Sequence, residues 1–299
     1  MFKGSIVALI TPFRNGEVDR DAFQRLVEWQ IEEGTDGLVP VGTTGESPTV
    51  THDEHKLLIQ LCVEAAAGRV PVIAGTGSNN TAEALALAKH AKAVGADGQL
   101  VVTPYYNKPT QKGLYEHYKA INDAVDLPIV IYNIPPRSVI DMSVETMAAL
   151  AKLPNVVGVK DATAKLDRPL QTRVAIGEDF SILSGEDGTA LALLAQSGDG
   201  CISVTANVAP GLCAAMHDAW NAGDFAEARR INELLIPLHD ALFCEANPGP
   251  VKYAASLMGI AGPEMRLPMC EIADASKRTV EKALRHVGLW DGAKAAAAE

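Results

Sequence analysis

Short apolar runs rich in β-branched residues recur along the chain, separated by stretches whose apolar positions follow a helical period. Runs of this kind read as strands buried on both faces. They predict strands near Ser5–Ile10, Gly37–Val41, Pro71–Ala74, Gln99–Thr103, Pro128–Tyr132, Val156–Lys160, Phe180–Ser184 and Cys201–Val204. Between them, Asp21–Glu33 sets Phe23, Leu26, Val27, Gln30 and Ile31 at helical spacing. Asp53–Ala67, Ala82–Val94, Gly113–Ala124, Val144–Leu153 and Gly188–Ala195 follow the same rule. Thr51 with Glu54 fits a capping box, and Asn80 with Glu83 fits one more loosely.

Eight strands alternating with helices predict an α/β fold, a parallel (β/α)8 TIM barrel. An open doubly wound sheet is the rival, but no GxGxxG follows the first strand. Past the eighth strand the alternation stops. Asp224–Phe243 reads as a long amphipathic helix with Phe225, Ala228, Ile231, Leu235, Leu238 and Leu242 on one side. Val251–Met258 and Lys277–Val287 read as two more, the last closed by Gly288. The expected organisation is a catalytic barrel over 1–223 and a C-terminal helical appendage over 224–299, with a low-complexity tail at Ala293–Glu299 expected to fray.

Composition narrows the function classes. The 299 residues carry 26 basic and 37 acidic side chains, a formal charge of −11, with no basic run, so neither nucleic acid nor an anionic membrane is an expected partner. No apolar stretch approaches the ~18 residues of a membrane span, and Ser5–Ile10 is too short for a signal peptide's apolar region. The five cysteines are odd in number, widely spaced and never in CxxC, which suits a reducing, cytoplasmic location.

In such barrels chemistry sits where strands end. Val156 to Val159 lead into Lys160 with no countercharge ahead of it. A lysine at the inner mouth of a buried strand is poorly solvated, which disfavours ammonium, and a neutral amine attacks a carbonyl to form a Schiff base. Taken alone, a strand-end lysine more often snorkels into water. Thr43 and Thr44 lie between Gly42 and Gly45, where backbone N–H groups and hydroxyls suit a small carboxylate. Tyr132 ends the strand before Lys160 and would share its mouth, as a proton carrier beside an imine. His52 and His55 lack HExxH spacing and a third ligand, so no metal is expected.

Gly42 to Glu46, Tyr132 and Asn133 with Arg137, and Val159 to Thr163 together resemble the signatures of the pyruvate-dependent class I aldolase superfamily. Within it the chain is similar to the dihydrodipicolinate synthase family from about residue 3 to residue 290. The resemblance implies a lyase of lysine and diaminopimelate biosynthesis. It would condense pyruvate with L-aspartate 4-semialdehyde to 4-hydroxy-tetrahydrodipicolinate without a cofactor. Lys160 would carry the imine. Tyr132, Thr43 and Tyr106 would relay protons, Tyr106 reaching in from a neighbouring subunit of a tetramer built as a dimer of dimers. Thr44 and the Ile202 backbone would hold pyruvate, Gly185 would line the pocket, and Arg137 would bind the semialdehyde's carboxylate. Ser47, His52, His55, Asn79, Glu83 and Tyr105 match an effector site through which lysine would inhibit. Asp161, Pro136 and Pro48 depart from common family residues beside these sites. The alternatives are N-acetylneuraminate lyase or a 2-keto-3-deoxy sugar acid aldolase on the same scaffold, and a non-catalytic barrel that binds a keto acid.

Overall fold

A computed structural model describes residues 2–292. Eight parallel strands form its sheet: β1 (Gly4–Ala8), β2 (Gly37–Val39), β3 (Ile73–Gly75), β4 (Gly98–Val102), β5 (Ile129–Asn133), β6 (Val156–Asp161), β7 (Ser181–Ser184) and β8 (Gly200–Ser203). Their order is β2-β1-β8-β7-β6-β5-β4-β3. The ring closes between β2 and β3, where Leu38 bridges Val72, the Leu38 N–H donates to Pro71 O at 3.0 Å and the Gly75 N–H to Pro40 O at 3.0 Å. The result is the TIM barrel that the alternation predicts.

Alternation along each strand divides the side chains into two cores. Ile6, Ala8, Val39, Ile73, Leu100, Val130, Tyr132, Leu183 and Ile202 pack together inside the barrel. Val7, Leu38, Ala74, Val101, Ile131, Val159 and Ile182 belong to the layer shared with the helices. Tyr132 pairs with Lys160, and Lys160 with Leu183. Both partners point inward, so Lys160 does too.

Local sequence sets the helices as expected. Asp19 accepts the Ala22 N–H at 3.0 Å and starts Arg20–Glu32, which buries Phe23, Leu26 and Val27. Both halves of the Thr51 capping box are present: Glu54 N–H to Thr51 Oγ1 at 3.2 Å, and Thr51 N–H to Glu54 at 2.8 Å. The looser box at Asn80 is not made. Asn80 caps Ala82, but Glu83 accepts from Ser78 Oγ at 2.8 Å instead.

Other details depart from expectation. The second strand stops at Val39, because Val41 takes a left-handed φ of +53°. Helix Val144–Leu150 ends three residues early, where the chain turns toward Pro154. Helices Arg168–Ile176 and Pro210–Asn221 and a small hairpin of Phe13–Arg14 with Glu17–Val18 escape the periodicity reading. Each unexpected helix opens with a proline in its first turn, where proline starts a helix rather than breaking one. In the first of them the usual pattern is inverted, with Arg168 and Arg173 buried and Leu170 and Val174 exposed.

After β8 and Pro210–Asn221 come three further helices, Phe225–Leu242, Gly249–Leu257 and Asp274–His286. The long one buries Ala228, Ile231, Leu235, Leu238 and Leu242 as expected, but Phe225 is 59% exposed and packs on Trp220 instead. Among the described residues no helix is long and apolar enough to cross a membrane. The tail Ala293–Glu299 lies outside the described residues.

Candidate active site

Lys160 sits at the C-terminal end of β6 and is 4% exposed. Its Nζ lies 4.3 Å from the centre of the Tyr132 ring, a contact in which the aromatic face meets the amine. Among the described residues no carboxylate pairs with it. The adjacent carboxylate, Asp161, points to the other face of the sheet. There Arg168 Nε lies 2.9 Å from Asp161 Oδ2, and the Thr163 N–H and hydroxyl donate to Oδ1 at 2.8 and 2.6 Å. Sequence adjacency of Lys160 and Asp161 therefore does not become an ion pair, and the amine stays available to a carbonyl carbon.

That outer network also fixes the loop after β5. Asn133 Nδ2 donates to Asp141 Oδ1 at 2.8 Å, and Asn133 Oδ1 accepts the Met142 N–H at 3.0 Å. Arg168 reaches the same Asp141 at 3.2 Å. Between these anchors Pro135 and Pro136 open the one-turn helix Pro135–Ser138, which sets exposed Arg137 at the mouth. One Arg137 N–H donates to Asn247 O at 3.3 Å, which leaves most of the fork unused.

A cavity of about 210 Å³ opens at this mouth, lined by Thr43, Ser47, Tyr105, Tyr132, Ile134 and Arg137 among others. Thr43 and Thr44 lie on the turn after β2, where the Gly45 and Ser47 N–H groups close onto Gly42 O and that of Glu46 onto Thr43 O. The N–H groups of Thr43 and Thr44 stay outside these bonds, as a carboxylate site requires. Thr44 is buried and its Oγ1 accepts from Asn247 Nδ2 at 3.0 Å. Ile202 is fully buried in the barrel interior. Gly185 follows β7, and a Cβ there would stand 2.7 Å from that of Ala162, so only glycine fits. Tyr106 is 88% exposed, with a left-handed φ of +72°, and does not line the cavity.

Of the expected effector residues, two reach the same cavity. Ser47 and Tyr105 line it. Glu83 raises the Tyr105 phenol's pKa, second to the effect of burial. Asn79 O accepts from Asn107 Nδ2 at 2.8 Å, and His52 is exposed at its helix start. His55 differs from the rest. It is 4% exposed, its Nε2 meets Gly75 O at 2.7 Å, and burial lowers its pKa to about 4. It therefore supports the cavity wall at Gly75 as a neutral ring.

Two residues at the mouth carry no sequence signal. Asn247, from the C-terminal helical region, touches both Thr44 and Arg137. Glu186 follows Gly185, its backbone held on both sides by Ser184 Oγ at 3.1 and 2.8 Å. Burial and the neighbouring Asp187 raise the pKa of its carboxyl, against the opposite pull of Lys160 and Arg137. The fold brings the Glu186 carboxyl within the influence of two cations that lie far from it in sequence.

A shielded amine facing a tyrosine at the C-terminal mouth of a parallel barrel is the layout of an imine-forming aldolase. The model of the Dihydrodipicolinate synthetase family matches residues 1–287. A 4-hydroxy-tetrahydrodipicolinate synthase from Rhodospirillum centenum is 70% identical over 289 residues, covering 97% of this chain and 99% of that one. The chloride-inhibited dihydrodipicolinate synthase from Acinetobacter baumannii, solved with pyruvate, is 45% identical with a TM-score of 0.94 over 97% of this chain and 100% of that one. The synthase from Cyanidioschyzon merolae, solved with lysine bound, is 39% identical with a TM-score of 0.93 over 96% and 99%. The chain belongs to the dihydrodipicolinate synthetase family.

Proposed function

We propose that this chain condenses pyruvate with L-aspartate 4-semialdehyde through an imine on Lys160, giving 4-hydroxy-tetrahydrodipicolinate. The observation that carries the mechanism is the shielded Lys160 amine against Tyr132, in a chain 70% identical to a 4-hydroxy-tetrahydrodipicolinate synthase. The Lys160 amine adds to the pyruvate ketone and water leaves. The protonated imine draws electrons from the methyl group, a proton departs, and the resulting enamine attacks the semialdehyde's carbonyl. The amine of the adduct then displaces Lys160 and closes the ring. Tyr132 and Thr43 carry protons between these steps. Thr44, the turn N–H groups and the Ile202 backbone hold pyruvate, with Gly185 at the wall. Arg137 takes the semialdehyde's carboxylate, as a planar fork suits.

Tyr106 completes the relay from a neighbouring subunit. An aromatic side chain 88% exposed and held in a left-handed backbone fits a role at a subunit contact. The assembly is a tetramer built from dimers, working in the cytoplasm, where five free cysteines stay reduced. Lysine is the proposed inhibitor, bound near Ser47, His52, Asn79, Glu83 and Tyr105, with His55 supporting the wall. The catalytic barrel is assigned to 1–223 and the C-terminal helical region to 224–299.

The test follows pyruvate consumption by the purified protein with aspartate semialdehyde and N-acetylmannosamine as competing aldehydes. Turnover confined to the semialdehyde is expected and is inhibited by added lysine. Turnover with the sugar alone overturns the role of Arg137, and failure of borohydride to trap pyruvate on the protein overturns the imine.

A further inference from the structure

Glu46 and Lys252 form an ion pair at 2.6 Å with side chains 2% and 0% exposed. Glu46 closes the turn that carries Thr43 and Thr44, while Lys252 lies on Gly249–Leu257, more than two hundred residues away. Glu46 holds a left-handed φ of +55°, a conformation that a non-glycine residue keeps only when its surroundings enforce it. The enforcing contacts are all present. Lys252 Nζ also donates to Thr11 O at 2.9 Å, and Thr11 Oγ1 donates to Gly45 O at 2.7 Å, so the loops after β1 and β2 share one cation. The other Glu46 oxygen accepts the Arg266 N–H at 3.2 Å. The Arg266 guanidinium bonds Glu54 and the carbonyls of Thr49 and Gly16.

A buried ion pair seldom stabilises a fold more than apolar residues of equal volume do. Its use here has to be sought in what it positions. Both ends converge on the candidate pyruvate site: Glu46 is two residues from Thr44, and Asn247, just ahead of the Lys252 helix, donates to the Thr44 hydroxyl.

We infer that Glu46 and Lys252 are a positioning pair, through which the C-terminal helical region holds Thr43 and Thr44 in register for the pyruvate carboxylate. The inference rests on the reading of that turn as the pyruvate site. Neither residue touches substrate. Together they fix the turn whose free N–H groups and hydroxyls do.

The experiment is borohydride trapping of [14C]pyruvate on the purified protein, read as the pyruvate concentration giving half-maximal labelling, beside kcat and thermal melting. Two variants are compared with the parent. The double variant Glu46→Gln with Lys252→Met removes both charges at similar volume and leaves no buried charge unpaired, at the cost of the bond to Thr11 O. Glu46→Asp keeps both charges but withdraws the carboxylate by one methylene. Because the turn carries both the pyruvate contacts and the proton carrier Thr43, half-saturation is expected to rise about tenfold in each variant, with kcat at saturating pyruvate falling beside it, as a misplacement of ~1 Å can cost about a hundredfold in rate. Variants that melt lower yet bind pyruvate as the parent does overturn the inference, since a merely structural pair moves only stability. If the double variant does not fold, Glu46→Asp alone decides. A parent that traps no pyruvate at all removes the site reading itself, and the inference with it.

Discussion

Tyr132 and Lys160 are ladder partners on neighbouring parallel strands, and the lysine amine rests 4.3 Å from the centre of the tyrosine ring. The ring does two separable things. Its face shields the amine, and its hydroxyl is free to carry a proton. Tyr132→Phe keeps the first and removes the second. Pyruvate is expected to remain trappable on Lys160 by borohydride, while turnover falls by about two to three orders of magnitude. Mass spectrometry of the reduced adduct beside steady-state rates checks this. Unchanged turnover takes Tyr132 out of the relay.

Arg137 is exposed and makes one long hydrogen bond, to the Asn247 carbonyl. Its replacement by alanine should leave the melting temperature nearly unchanged, an effect within about 0.5 kcal/mol. The KM for the semialdehyde should rise by about a hundredfold, since a bidentate charge-assisted contact to its carboxylate is lost, while pyruvate half-saturation holds. Equal loss for both substrates would assign Arg137 to the turn's architecture instead.

Tyr106 is exposed and does not line its own cavity. If it serves a partner's site, specific activity should fall when the protein is diluted through its dissociation range, followed by analytical ultracentrifugation. Tyr106→Phe should lose turnover while the oligomer persists. Activity that stays constant in a monomer removes the tyrosine from the relay.

Stability should decline on mild acidification. His55, His117 and His217 are buried, and burial lowers each pKa to about 4. The unfolded chain takes up these protons below about 6.5, whereas the folded chain refuses them until about pH 4. Stability is therefore full above about pH 6.5 and is lost as the pH falls toward 4, by up to ~3 kcal/mol for each ring. The Glu54 carboxyl, held at about 2 chiefly by Arg266, adds a smaller loss below its ordinary range, tempered by its partial exposure. Melting temperatures between pH 8 and 4 measure the slope, and His217→Asn should flatten it.

Strand-end chemistry was legible because strand period and position are local properties. Val156 to Val159 announce a buried strand, and its end fixes where Lys160 stands. The Thr51 capping box was readable for the same reason, since both of its bonds join residues three apart. The helix Arg168–Ile176 was not, because its buried face carries arginines whose partners, Asp161, Asp141 and Asp199, come from elsewhere in the chain. Glu186 carried no signal in the sequence because nothing nearby reveals Lys160 and Arg137.

The sequence by itself determined the barrel, the strand-end placement of Lys160, Tyr132 and Thr43, and the family, because periodicity and motifs are written in neighbouring residues. Only the tertiary structure decided that Asp161 belongs to Arg168 rather than to Lys160, that His55 is buried as a wall, and that Tyr106 stands exposed and outside the lining of its own cavity. It alone joined Asn247 to Thr44 and Lys252 to Glu46, pairs more than two hundred residues apart. Such pairings depend on where closed loops return in space, and no local pattern of polar and apolar residues encodes that distance.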